Sequence, residues 1–138
     1  APCRRTVRDI PADMVEMRQE QGAGPQVTGF SGTGFKVRDA VFPDGVILTQ
    51  EEARTWTPPA IDALAMADLG DALESEPRPE FLLLGTGAKL VQPPAAFRRA
   101  MEERGIGIEA MDSRAAARTL ALLRAEERWV VAALYPLG

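Results

Sequence analysis

The sequence predicts an α/β fold in which a mixed sheet contains a C-terminal parallel βαβαβ unit. Two observations predict it: short strand-like segments crowd residues 26–57, and apolar strands alternate with amphipathic helices over residues 81–135. The length of 138 residues is about that of one domain, and 46% hydrophobic with 26% charged residues is a globular balance. We therefore expect a single compact domain over residues 25–138, with two main helices.

Residues 1–24 are the least domain-like part of the chain. A helix that begins at Pro11 has few apolar anchors, and Gly22 and Gly24 break it. We interpret this segment as an N-terminal tail or docking arm.

Residues 26–57 have the alternating pattern and the turns of short strands. Segments this close together pair most simply as antiparallel hairpins, and Pro43-Asp44-Gly45 is typical of a turn between two of them. The sequence thus predicts an N-terminal β-rich elaboration. Its strand-like segments are residues 27–30, 35–38, 41–42, 46–49 and 54–57.

The second half of the chain alternates helices with apolar strands. Met66, Leu69 and Leu73 share one face of a short helix. The continuous apolar run at residues 81–84 is typical of a strand covered on both faces. There follow a helix from Pro93-Pro94 to Gly105, a strand at residues 106–111, a helix from Asp112 or Ser113 to about Glu126, and a strand at residues 129–135.

Helices between successive strands favour parallel, right-handed crossovers. We therefore expect the strands at residues 81–84, 108–111 and 129–134 to be neighbours in one sheet, all parallel. The apolar faces of the two helices and the first of these strands predict the core. We expect it to contain Leu83, Phe97, Met101, Leu120 and Leu123.

The composition excludes several classes of site. The chain has no histidine, which rules out a Ser-His-Asp or Cys-His pair and any histidine-ligated metal within it. Its one cysteine, Cys3, forms neither an intrachain disulfide nor a zinc cluster. The net charge of −4 argues against broad nucleic-acid binding. No apolar run approaches the roughly 20 residues of a membrane span. We expect a cytoplasmic protein with no cofactor, metal, nucleic-acid partner or transmembrane segment.

A candidate ligand site lies where two of the parallel strands end. Such strands place their carboxyl ends on one edge of the sheet, and a helix that opens there offers free N–H groups to an anion. The sequence therefore predicts a crevice for a small anion or carboxylate. Its residues are Gly85, Thr86, Gly87, Asp112, Ser113, Arg118 and Thr119.

Each part of this crevice also has a purely structural interpretation. The Gly85-Thr86-Gly87 motif fits a tight strand exit as well as a ligand contact. Asp112 and Ser113 fit plain helix caps, and Arg114 and Arg118 fit ion pairs with carboxylates such as Glu109.

The second half also carries an ordered set of motifs. They are the segments Phe81-Leu82-Leu83-Leu84-Gly85-Thr86-Gly87, a proline-led helix, Gly105-Ile106, Met111-Asp112-Ser113, Ala115-Ala116-Ala117-Arg118-Thr119 and Trp129-Val130-Val131-Ala132-Ala133-Leu134. In this the chain resembles the family called domain of unknown function 498, which includes the mitochondrial assembly factor three of respiratory complex I. The resemblance covers roughly residues 26–136. The family often has Thr where Ser113 stands, and an aromatic residue and Asn in place of Leu120 and Ala121.

The resemblance implies a compact α/β fold, with two main helices and a β-rich elaboration, and no established enzymatic activity. Through the eukaryotic members it implies an accessory role in the assembly of a membrane respiratory complex. We therefore expect a non-enzymatic interaction protein with an unidentified protein partner. The alternative is a small-anion or metabolite-binding module, or a weak enzyme, that uses Asp112 as an acid or base and Arg118 as an anion clamp.

Overall fold

A computed structural model describes residues 24–74 and 78–138. The predicted tail over residues 1–24, with Cys3, lies outside the described residues except for Gly24. The described chain forms a three-stranded sheet, a five-stranded sheet and two α-helices. This confirms the predicted α/β class, with its mixed sheet, its two main helices and its β-rich N-terminal part.

The smaller sheet is an antiparallel meander of three short strands, β1 (Gly29–Ser31), β2 (Gly34–Val37) and β3 (Ala40–Phe42). Within this sheet the backbone of β2 at Gly34 lies very close to the end of β3, so that a Cβ atom at Gly34 would lie 2.5 Å from the carbonyl oxygen of Phe42. Only glycine fits there, because real Cβ atoms do not approach an oxygen this closely.

The larger sheet contains β4 (Val46–Leu48), β5 (Ala53–Thr55), β6 (Phe81–Gly85), β7 (Gly107–Met111) and β8 (Val131–Leu134), in the order β5-β4-β8-β6-β7. Strand β6 pairs in parallel with both β7 and β8. The predicted parallel arrangement of the three C-terminal strands is thus confirmed. Strand β4 pairs antiparallel with β5 and β8, which makes the sheet mixed.

Helices α1 (Ala95–Glu103) and α2 (Ser113–Ala125) pack on opposite faces of the larger sheet. Along β6, Leu82 and Leu84 face α1, whereas Leu83 faces α2. This two-sided burial explains the continuous apolar run of β6. The smaller sheet packs on the α2 side through Phe35 and Phe42.

Four of the five predicted core residues are buried: Leu83, Phe97, Met101 and Leu120. The fifth, Leu123, is only half-buried, and the next residue along α2, Arg124, is buried instead. The predicted helix around Leu69 is a single 3₁₀ turn, Met66–Leu69, because Gly70 adopts a positive φ of 61° and ends it. No helix within the described ranges is long and apolar enough to cross a membrane.

Candidate functional site

The carboxyl ends of β6 and β7 meet the start of α2 through the side chain of Ser113. Its hydroxyl accepts a hydrogen bond from the Gly87 N–H at 2.9 Å and donates one to the Tyr135 carbonyl at 2.7 Å. The Ser113 N–H in turn donates to the Gly87 carbonyl at 2.8 Å. The structure therefore brings residues 85–87 and 112–113 together at one edge of the sheet.

The first residue of α2, Ser113, lies very close to the backbone of Gly85 at the end of β6. A Cβ atom at Gly85 would lie 2.7 Å from Leu134 Cδ2 and 2.8 Å from Ser113 Oγ. A side chain at this position would push α2 away from β6. This contact accounts for the first glycine of the Gly85-Thr86-Gly87 motif.

The hydroxyl of Thr86 organises the loop that leaves β6. It donates to the Lys89 carbonyl at 2.6 Å and accepts from the Val91 N–H at 3.0 Å. Thr86 itself is buried, while Leu90 and Val91 are exposed at the tip of the loop. The loop thus displays two apolar side chains from a fixed base.

The N-terminus of α2 is capped from within the chain. The Asp112 carboxylate accepts from the Ala115 N–H at 2.9 Å, and the Asp112 carbonyl accepts from the Ala116 N–H at 2.9 Å. With Ser113 bonded to Gly87, three of the first N–H groups of the helix already have partners. The Asp112 carboxylate thus lies at the N-terminus of α2, which is the position that favours a bound anion.

The remaining predicted crevice residues lie further along α2. Arg118 is exposed and makes no hydrogen bond or ion pair with any residue that the structure describes. The Thr119 hydroxyl lies 3.4 Å from Met111 Sδ. Arg114 stacks on the ring of Phe30 at 5.2 Å, so this arginine makes a cation–π contact rather than an ion pair with Glu109.

We expect Ser113→Ala to lower the free energy of unfolding by about 1–3 kcal/mol, because it leaves the buried Gly87 N–H and Tyr135 carbonyl without their partner. Urea denaturation measures this loss. Ser31→Ala at the exposed end of β1 is the matched control, and we expect it to change stability by less than about 0.5 kcal/mol. Equal stabilities of the two variants would contradict the bridging role of Ser113.

A cleft of about 500 Å³ opens beside the same edge. We call it the proline cleft. It is lined by residues 57–61, 86–88 and 135–136, together with Asp44 and Gly138. It shares Thr86 and Gly87 with the predicted crevice but none of the predicted residues on α2. The sequence analysis did not single out this cleft, because nothing in the local pattern of Pro58 and Pro59 shows that they face Tyr135 and Pro136.

Tyr135 forms part of the cleft wall, and its hydroxyl is buried. Its ring packs edge-to-face on Trp56, with 5.3 Å between the ring centroids. The hydroxyl has no hydrogen-bond partner among the residues that the structure describes. Burial, with smaller contributions from the Asp68 and Asp62 carboxylates, raises the pKa of Tyr135 to about 12.

We expect the Tyr135 phenol to ionise near pH 12 in the folded protein, because burial disfavours the phenolate. The unfolded chain releases this proton near pH 10, so folding stability should fall as the pH rises from 10 to 12. Since Tyr135 is the only tyrosine, its phenolate absorbance reports the titration directly. Tyr135→Phe should remove the part of the loss of folding stability at alkaline pH that the Tyr135 phenol contributes. If the phenol of the folded protein titrated near pH 10 instead, that result would contradict the burial of the hydroxyl.

A second cavity, of about 340 Å³, is lined mainly by polar and charged residues next to β5. The Arg54 guanidinium donates to Glu52 at 2.6 Å and to Asp71 at 2.5 Å. These hydrogen bonds raise the pKa of Arg54 and lower that of the Asp71 carboxyl. Because the carboxylates are exposed, this ion-pair network contributes little to stability. No group of three or more metal-ligating side chains is present in the described ranges.

Comparison with known proteins assigns the fold to a family. Residues 27–135 match the family described as "Protein of unknown function (DUF498/DUF598)". The chain belongs to this family. The resemblance in the ordered motifs of the second half is thereby confirmed.

Two curated relatives of this DUF498/DUF598 protein are each 30% identical to it. One is "NADH dehydrogenase [ubiquinone] 1 alpha subcomplex assembly factor 3" of Danio rerio, matched over 121 residues, 87% of this chain and 69% of that protein. The other is an uncharacterised protein of Rhodobacter capsulatus, matched over 116 residues, 84% of this chain and 87% of that protein.

Solved structures share the DUF498/DUF598 fold seen here. A Bordetella parapertussis protein superposes with a TM-score of 0.71 at 33% identity, covering 83% of this chain and 97% of that one. A Mth938-like domain from Bordetella pertussis superposes with a TM-score of 0.74 at 25% identity, covering 97% and 94%.

One polar residue of this DUF498/DUF598 protein was missed by sequence analysis. Arg124, in the last turn of α2, is fully buried. Its guanidinium donates to the carbonyls of Pro25, Thr49 and Val130 and to the side-chain oxygen of Gln50, at 2.8–3.0 Å. Burial lowers the pKa of Arg124 to about 10, so it stays charged at neutral pH. One cation therefore ties two distant backbone segments, at Pro25 and at Thr49, and the nearby Val130 to α2.

Proposed function

We propose that this protein is a non-enzymatic accessory protein that acts in the cytoplasm and assists the assembly of a membrane respiratory complex. The observation that carries the proposal is the 30% identity, over 87% of the chain, to a protein named as a complex I assembly factor. Accessory proteins of this kind act by binding partners rather than by transforming a substrate.

The local geometry supports an accessory role over a ligand-transforming one. At the edge where α/β folds place their ligands, Ser113, Thr86 and Asp112 direct their polar atoms to backbone groups of the same chain. Their hydrogen bonds hold a loop and a helix end in place. The loop at this edge exposes Lys89 together with the apolar pair Leu90 and Val91, and exposed apolar side chains favour protein contacts.

Deletion of the gene in its native host tests the proposal. We expect the amount of assembled NADH:quinone oxidoreductase on native gels, and the NADH-dependent activity of isolated membranes, to fall together. The wild-type gene on a plasmid should restore both, and succinate dehydrogenase in the same membranes serves as the control. Normal assembly of the NADH-oxidising complex without the gene would overturn the proposal.

The alternative proposal is a small-anion or metabolite-binding module at residues 85–87 and 112–119. It predicts that Arg118→Gln weakens binding of a phosphate or carboxylate compound. Because Asp112 and Gly87 already bond the first N–H groups of α2, we expect phosphate, citrate and acetate to raise the melting temperature of wild type and Arg118→Gln equally or not at all. A thermal-shift screen decides this. Stabilisation of wild type that Arg118→Gln loses would favour the anion-binding module.

A further inference from the structure

The proline cleft has the shape and charge of a peptide-docking site. We propose that it binds an extended segment of a partner protein that carries a lysine or arginine between apolar residues. This inference rests on the proposed accessory function, since it names the kind of partner segment that such a protein would hold.

The walls of the cleft are rigid before any partner arrives. Pro58, Pro59 and Pro136 each have a φ angle fixed by their ring. Tyr135 is held by its edge-to-face contact with Trp56. A preformed surface loses little conformational entropy on binding, so even a short segment can gain net affinity from it.

The charge of the cleft is negative. Asp44 is the only charged residue among those that line it, and no lysine or arginine lines it. Of the exposed charged residues that follow lining residues, Asp62 after Ile61 and Lys89 after Ala88 offset each other, which leaves the negative charge of Asp44. Neither carboxylate forms an ion pair with a described residue. The cleft therefore attracts a cation and repels the small anion predicted from the sequence.

The loop that leaves β6 also exposes two apolar side chains beyond the cleft, on the far side of Lys89. Ala88 lines the cleft, and Leu90 and Val91 follow it with exposed fractions of 54% and 41%. Thr86 holds this loop in one shape. A small cationic molecule in the cleft would leave Leu90 and Val91 in water, whereas an extended peptide covers the cleft and the loop together. The geometry thus favours a peptide with apolar residues on either side of its cation.

Fluorescence anisotropy with labelled peptides tests the proposal on the purified full chain. The probe is a short peptide with one central lysine flanked by leucines and prolines, and the matched peptide has glutamate in place of the lysine. We expect the lysine peptide to bind about tenfold more tightly, because the swap replaces an attraction to Asp44 by a repulsion. Equal affinity of the two peptides, or no binding of either, would overturn the inference.

Two variants with matched controls locate the binding site. Asp44→Asn should weaken the lysine peptide about threefold, while Asp39→Asn, in the exposed turn between β2 and β3, should leave its affinity unchanged. Ala88→Trp fills the cleft from an exposed position and should weaken binding more than about tenfold, while Ala96→Trp on the exposed side of α1 should not. Circular dichroism confirms that each variant folds. Full affinity in folded Ala88→Trp would place the peptide elsewhere and overturn the proposal.

Complementation separates this inference from the proposed function. In the deletion strain, Ala96→Trp should restore assembly of the NADH-oxidising complex and Ala88→Trp should not. If both restore it, the cleft inference fails while the accessory function stands. If deletion itself has no effect on assembly, the accessory function fails, and the peptide titration still reports on the cleft.

Discussion

Replacement of Arg124 by methionine is expected to lower the free energy of unfolding by about 3–5 kcal/mol. Methionine fills much of the same volume but has no donor. The carbonyls of Pro25, Thr49 and Val130 would then stay buried without the hydrogen bonds they now accept. Urea denaturation followed by far-ultraviolet circular dichroism measures the loss.

Two further variants separate charge from geometry at this site. Arg124→Lys keeps the cation, but one ammonium group cannot reach acceptors on three backbone segments, so we expect a loss smaller than that of Arg124→Met. Arg118→Met, on the exposed side of the same helix, should change stability by less than about 0.5 kcal/mol. If Arg124→Met were as stable as Arg118→Met, the hydrogen bonds of the buried Arg124 would not contribute to the stability of the fold.

Truncation of Leu120 to alanine is expected to cost about 2–5 kcal/mol, because this side chain is fully buried between α2 and the larger sheet and its loss leaves a cavity. Leu122, two residues further along α2, is 67% exposed and provides the matched control. We expect Leu122→Ala to cost less than about 0.5 kcal/mol. Chemical denaturation of the pair compares the same substitution on two faces of one helix. A loss under about 0.5 kcal/mol for Leu120→Ala would contradict the core assignment.

The order and direction of the C-terminal elements follow from sequence periodicity. The apolar run of β6 and the amphipathic faces of α1 and α2 are local patterns, and crossover handedness then makes the strands parallel. The same reasoning placed residues 85–87 beside Ser113, since both leave neighbouring strands at one edge. These parts of the structure depend on residues close together in the chain.

The parts that escaped prediction depend on residues far apart in the chain. An arginine in the last turn of a helix is typical of a solvated residue, and only the folded chain shows that the distant carbonyls of Pro25 and Thr49 converge on Arg124. The proline cleft likewise joins Pro58 to Tyr135. The predicted role of Arg118 rested on its spacing from the helix start, which places a residue on a helix but not its side chain in a crevice.

The position of β8 in the larger sheet has a consequence for how this protein is made. Strand β8 lies in the middle of the sheet, although it comes after the other four strands in the described sequence, and Val46 pairs with Leu134. A growing chain on the ribosome therefore carries a β4–β5 pair and a β6–β7 pair with open edges until β8 has left the exit tunnel. The larger sheet closes only when β8 inserts, and until then the exposed edges of β4 and β6 need shielding from other strands.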